Sequence, residues 1–226
     1  MNDRPRLLDL FCGAGGAGEG YRRVGFDVTG VDIKPQPRNP HNFIQADALE
    51  FLREHGHEFD FIHASPPCQA YTKAGKQWRK EGRKYPDLIS AVRDLLKKTK
   101  KPWVIENVPG APLKRPVLLN GSVFGMKVHR PRLFEASFQL PQLEIPTSKP
   151  IKMGRPIREG DTVQPVGHFS GVAYASREMG LPWMGQKELA QAIPPAYTKF
   201  IGKHALAWIA ASSRKSHTKS STPSPA

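Results

Sequence analysis

Cysteine is scarce in this chain: Cys12 and Cys68 are the only two among 226 residues. Two cysteines cannot build a disulfide scaffold, and without a paired Cys-x-x-Cys spacing a zinc site has no ligand framework, so no metal is expected. Long apolar runs are missing as well. None approaches the roughly 20 residues that a membrane-spanning helix requires, so no membrane partner is expected. The opening Met1-Asn2-Asp3-Arg4-Pro5-Arg6 leads directly into an apolar block and reads as no signal peptide. A reducing cytoplasm fits these features. Acid is the scarce charge, with 20 Asp and Glu against 34 Lys and Arg, a net charge of +14. Such a surplus favours a polyanionic partner, most often nucleic acid. The tail 212–226 holds three of the cations and no acid, so the basic character belongs to the body.

Short apolar blocks do alternate with amphipathic stretches, the rhythm of βα units stacked on a parallel sheet. Arg6–Cys12, Asp27–Ile33, Phe43–Ala46, Phe59–Ala64 and Pro102–Glu106 read as strands. Ala17–Val24, Ala48–His55 and Asp87–Lys98 read as helices, the last with a stripe of Leu88, Ile89, Val92, Leu95 and Leu96 at a 3.6-residue period. Leu140–Val166 is rich in Pro, Lys and Arg and reads as irregular. Lys187–Ile209 reads as helical, broken at Pro194-Pro195, and 212–226 lacks core-forming residues and reads as disordered.

Gly13, Gly15 and Gly18 form a G-x-G-x-x-G between the first strand and helix. Such a loop lets a ligand approach the backbone, and the helix start favours an anionic group. Asp32, ending the second strand, is placed to accept hydrogen bonds from a ribose. The pattern indicates an adenosine cofactor and leaves NAD, FAD and S-adenosylmethionine open. Asp47 either reads an adenine amino group or caps the helix that follows it.

Ser65-Pro66-Pro67-Cys68-Gln69 follows the fourth strand at the edge where open α/β sheets place ligands. Its prolines stiffen the approach to Cys68, and a partly exposed cysteine there suits a nucleophile. Cys12 reads as a buried hydrophobe. The next segment carries Lys73, Lys76, Arg79 and Lys80 between Gly75 and Gly82, suited to closing over phosphates.

Several motifs together resemble the DNA (cytosine-5)-methyltransferase family. Asp9-Leu10-Phe11-Cys12-Gly13-Ala14-Gly15-Gly16 is similar to its cofactor motif. Pro67-Cys68-Gln69 is similar to its catalytic motif, and Glu106-Asn107-Val108 to its Glu-Asn-Val motif. Leu119-Asn120-Gly121-Ser122 with Phe124-Gly125 resembles the segment before its Arg-x-Arg, here Arg130-Pro131-Arg132. All stand in the family's order over about residues 6–135. Ala190-Gln191-Ala192-Ile193-Pro194 departs from the usual Gly-Asn-Ala-Val-Pro, with Gln191 where Asn is the rule. The variable recognition segment is reduced to a few tens of residues, as in compact phage and bacterial enzymes.

The resemblance implies a Rossmann-like α/β methyltransferase fold, a mostly parallel sheet with helices on both faces. It divides the chain into a core at 1–135, a reduced recognition segment at 136–175, a helical part completing the core at 176–211, and the tail. The cofactor implied is S-adenosylmethionine, held by Asp9, Phe11, Gly13, Gly15, Gly16, Asp32, Ile33, Asp47, Pro66 and Gln191. Catalysis falls to Cys68, attacking cytosine C6, with Glu106, Arg130 and Arg132. Gln69, Lys73, Lys76, Arg79, Lys80, Arg155 and Arg158 are the expected nucleic-acid contacts, with Lys149 and Lys152 beside the last two. The implied partner is double-stranded DNA, bound by a monomer in a bacterial or phage-infected cell. The rival readings are a tRNA cytosine-C5 methyltransferase and a DNA-binding relative without catalysis.

Overall fold

A computed structural model describes residues 4–72, 81, 87–150 and 156–219. Seven strands form one sheet: β1 (Arg6–Leu10), β2 (Asp27–Asp32), β3 (Asn42–Gln45), β4 (Phe61–Ala64), β5 (Trp103–Asn107), β6 (Val117–Leu119) and β7 (Arg132–Ala136). Their order is β3-β2-β1-β4-β5-β7-β6. The first five run parallel, and β7 pairs antiparallel with both β5 and β6. The order turns around at β1, so the carboxyl ends of β1, β2, β4 and β5 share one edge.

The helices are α1 (Gly16–Arg22), α2 (Ala48–His55), α3 (Ile89–Thr99), α4 (Val172–Met179), α5 (Gln186–Leu189) and α6 (Pro195–Lys219). Strand residues are apolar on both sides because both faces of the sheet are covered. Leu7, Phe61 and Val104 pack with Tyr21 of α1 and Tyr197 and Ile201 of α6. Leu8, Leu10, Ile62 and Ile105 pack with Leu52 of α2 and with Val92 and Leu96 of α3. Alternate side chains thus feed alternate layers, as the pleat requires. A third cluster joins Val128, Val163 and Phe169 to α4 and the segment following it. Among the described residues between β7 and α4 there is no helix or strand beyond a single bridge from Val163 to Val128.

Several boundaries differ from the sequence reading. The first strand stops at Leu10 because Phe11 turns to a φ of +59°. Strands β6 and β7 were not anticipated. The break expected at Pro194-Pro195 is present, between α5, which ends at Leu189, and α6, which Pro195 opens, a position where its missing N–H costs nothing. That helix continues to Lys219, correcting the expectation of a disordered tail over 212–219; residues 220–226 lie outside the described ones. A long helix already anchored by Tyr197 and Ile201 propagates cheaply into a polar stretch, since extension adds one bond per residue fixed.

The α1–α6 contact rests on Gly20. A methyl group there would run into the Thr198 hydroxyl and the Pro195 carbonyl. The same hydroxyl donates to the Ala17 carbonyl at 2.7 Å, so it cannot move aside freely. Gly20→Ala is expected to destabilise the protein by about 3 kcal/mol in urea unfolding, the upper range for overpacking; an unchanged midpoint would show that the two helices can slide apart.

Candidate active site

The glycine loop leaves β1 through Phe11, whose left-handed backbone costs about 1–3 kcal/mol and is held by its surroundings. The Gly13 amide donates to Asp32 Oδ2 at 3.0 Å, and the Lys34 amide donates to Oδ1 at 3.0 Å. Asp32 thereby fixes the loop while each oxygen keeps lone-pair capacity. Nothing lies within 4 Å of where a Gly13 side chain would begin. Beside it Ile33 is 64% exposed, an uncommon setting for a large apolar side chain. Asp47 caps α2, its Oδ1 accepting from the amides of Leu49 and Glu50. That is the capping alternative, and it leaves Oδ2 available. The first turn of α1 already holds an acid: Glu19 is buried and bonded to Arg22 and Arg23.

Asp9 lies beneath this loop, 1% exposed, and neither carboxylate oxygen closes a hydrogen bond. Burial pushes it up to about 7, with the charges of Asp32 and Glu106 adding and the Gly18 amide opposing.

The second half of the site belongs to β4, β5 and β7. Cys68 follows the two prolines and is partly buried. Its carbonyl accepts from the amides of Tyr71 and Thr72 at 2.9 and 3.1 Å, a tight turn that presents the thiol. Asn107 holds the loop, its Nδ2 donating to the Pro66 carbonyl at 3.0 Å. A proline pair offers no amide of its own, so this carbonyl is the handle available. Glu106 is 5% exposed, with Arg132 Nε 3.1 Å from its Oε1. Burial raises the Glu106 carboxyl above its ordinary value, while Arg132, the Ser65 hydroxyl and Arg130 pull it down. Burial likewise raises the Cys68 thiol; Glu106 adds to this, and Arg132 and Arg130 oppose it. The four residues therefore sense one another's charge.

Arg130 is 1% exposed. Its guanidinium donates to the carbonyls of Pro165 (2.7 Å) and Ala190 (2.9 Å). Such burial makes Arg130 a clamp between segments. Behind Glu106 runs a buried chain: Tyr21 Oη lies 2.9 Å from His63 Nδ1, and His63 Nε2 lies 2.9 Å from Ser65 Oγ. Burial drives His63 down to about 3, so the imidazole is neutral.

Of the expected nucleic-acid contacts, Gln69, Lys149 and Arg158 are exposed. Lys73, Lys76, Arg79, Lys80, Lys152 and Arg155 lie outside the described residues. Gln191 is exposed, in the turn after α5, its amide bonded to the Glu188 carbonyl. The adjoining Ala192 and Ile193 pack against Gly16, which brings this segment to the glycine loop. Gly16 and Pro66 are buried, and Cys12 is buried as expected. The sequence reading missed three loop supports. Asn39 donates to the Gly13 carbonyl at 3.0 Å, His41 Nε2 lies 3.2 Å from the Gly15 carbonyl, and Trp183 Nε1 donates to the Ala14 carbonyl at 2.9 Å.

Residues 5–116 match the family model described as C-5 cytosine-specific DNA methylase. The type II methyltransferase M.XorII of Xanthomonas oryzae is 32% identical over 124 residues, 47% of this chain and 29% of that protein. M.NgoMIV of Neisseria gonorrhoeae is 33% identical over 112 residues, 46% of this chain and 35% of that one. The aligned segment thus spans about a third of either relative. Among solved structures, a protein proposed to be a DNA modification methyltransferase, encoded within an E. coli prophage, superposes with a TM-score of 0.63 at 15% identity, over 91% of this chain and 99% of that one. The Dnmt2 methyltransferase of S. pombe gives 0.54 at 12% identity, over 90% and 98%. At such identities the likeness is one of fold.

Asp9 carries a pH signature. Its carboxyl titrates near 3.8 unfolded and about 7 folded, so the native state holds the extra proton and loses stability as pH rises through that window. Asp9→Asn cannot ionise. In the absence of ligand its unfolding free energy relative to wild type is expected to climb between pH 4 and pH 8, by up to about 4 kcal/mol. His63 titrates identically in both proteins and cancels; a difference flat across that range would overturn the assignment.

Proposed function

We propose that this chain, whose residues 5–116 match the C-5 cytosine-specific DNA methylase family, transfers a methyl group from S-adenosylmethionine to C5 of a cytosine flipped out of duplex DNA. The observation that carries this reading is the convergence of Cys68, the buried Glu106 and Arg132 at the carboxyl edge of the sheet. The glycine loop beside them fits an adenosyl group. Open space faces Gly13, Ile33 offers an exposed apolar face for an adenine, and Asp32 retains acceptor capacity for ribose hydroxyls. The free Oδ2 of Asp47 suits the adenine amine, and Asp9, Phe11, Gly15, Gly16, Pro66 and Gln191 surround the same loop. When bound, S-adenosylmethionine supplies an electrophilic methyl group.

The chain's own residues make cytosine able to receive it. C5 is a weak nucleophile until a thiolate adds at C6. Cys68 provides that sulfur, and the cations of Arg132 and Arg130 favour its deprotonated form against the cost of burial. Addition pushes electron density towards N3, where Glu106 donates a hydrogen bond; its raised pKa keeps a proton within reach. Arg132 holds the Glu106 carboxyl in place. Once C5 has been methylated, loss of its proton expels Cys68 and restores the ring. Extracting the base from a duplex costs a few kcal/mol. The basic segment 73–80, with Gln69 and Arg158, is suited to meeting that cost through phosphate contacts.

Cys68→Ser is expected to abolish transfer of a labelled methyl group to duplex DNA while leaving calorimetric binding of the cofactor intact. Retained transfer would remove Cys68 from the chemistry. Glu106→Gln should lower kcat by about 100-fold or more, the scale of a lost charge-stabilising group. The same assay with tRNA decides the polymer: methylation of tRNA with none of DNA would overturn the DNA reading.

A further inference from the structure

At the opposite edge of the sheet the protein has a second basic site, which the proposed reaction does not use. A cavity of about 840 Å³ opens between the carboxyl end of α3, the start of β5, the end of β7 and α6. Glu106 lies three residues further along β5 from the wall residue Trp103, about 10 Å away along the strand. Six cations line the cavity: Arg93, which is paired with Glu135, and five others, Lys97, Lys100, Lys101, Lys114 and Arg115. The acid among the lining residues, Glu135, is already spent. Arg93 takes both of its oxygens at 2.7 and 2.8 Å, and the Lys114 amide takes Oε2 at 2.7 Å. Among the described residues none of those five cations forms an ion pair.

Two further observations concern the same place. Among the described residues three non-glycines have positive φ: Phe11 shapes the glycine loop, and Lys100 (+58°) and Arg115 (+44°) both line this cavity. At Lys100 this is the left-handed cap that ends α3, whereas Arg115 caps no helix, and there such a conformation costs about 1–3 kcal/mol, of the kind that collects at binding sites. The cavity also has an aromatic side. Trp208 is 39% exposed, one of the few large apolar side chains so placed, and its ring lies 6.5 Å from Phe138.

We propose that this cavity binds a short stretch of single-stranded nucleic acid, phosphates on the lysines and Arg115 and a base against Trp208. Cations alone would suit any polyanion. An exposed indole among them selects a ligand with a free π-face beside each phosphate, which an unpaired strand has and a duplex hides. The site then grips nucleic acid away from the reacting base and gives part of the chain's +14 charge a purpose.

Fluorescence anisotropy of the full-length protein with labelled eight-nucleotide oligo-dT and oligo-rU tests the proposal. Wild type should bind at least one of them, with a log affinity that falls by about 0.7 per phosphate neutralised for each unit of log salt. Lys100→Glu with Lys101→Glu and Arg115→Glu should weaken binding at least tenfold, and Trp208→Ala several-fold, while methyl transfer to a short duplex stays within twofold. If the triple reversal fails to fold, Lys100→Gln with Lys101→Gln and the single Trp208→Ala give the same readout. Unchanged affinity in these variants would overturn the proposal. So would complete displacement of the oligonucleotide by duplex DNA, or equal binding of a polyglutamate peptide. Cys68→Ser should keep the binding, which separates failure of this site from failure of the methyltransfer reading.

Discussion

A guanidinium removed from water costs several kcal/mol unless the protein replaces its hydration. Arg130 meets that cost by joining distant parts of the chain. Its two terminal nitrogens reach Pro165 and Ala190, its amide donates to Asn120 Oδ1, and its carbonyl accepts from Tyr197 Oη. The irregular segment, the turn carrying Gln191 and the start of α6 are thereby fixed to the residue two positions before Arg132. Burial draws Arg130 well below the ordinary arginine range, Arg132 adds to this, and Glu106 resists. The cation that organises the C-terminal third is therefore stabilised by Glu106, the carboxylate to which we assign the work at the base.

Glu106 consequently answers to two networks. From the solvent side Arg132 pairs with it, and from the core the Tyr21–His63–Ser65 chain reaches it through the Ser65 hydroxyl. Tyr21 belongs to α1, whose other end begins at the glycine loop. One helix thus bears on both halves of the site. Asn107, next to Glu106, holds the Pro66 carbonyl, so the acid and the cysteine loop are set by adjacent residues of one strand.

The first five strands and their helices were legible in the sequence because covering both faces of a parallel sheet imposes continuous apolar runs, with amphipathic helices between them. Cys68, Glu106 and Asp32 could be placed on one edge from the sequence because each stands at or just beyond the carboxyl end of a parallel strand. The antiparallel pair was not: β6 has three residues, and β7 reads Arg-Leu-Phe-Glu-Ala, too short and mixed for a period. Asn39 and Trp183 left no local signal, since their loop partners lie 26 and 169 positions away. Arg130 was placed in the site by its motif, but its burial and its clamp to Pro165 and Ala190 were not legible, because those carbonyls lie 35 and 60 positions away. The lysines at the end of α3 drew no reading of their own; only the fold sets Trp208 beside them.

The raised Cys68 thiol bears on how long such a protein lasts in a cell. Peroxide and electrophiles attack the thiolate, and a cysteine kept protonated by burial and by a neighbouring carboxylate offers little of it. Burial raises the Cys12 thiol too, so neither cysteine of the free protein presents much thiolate to such reagents.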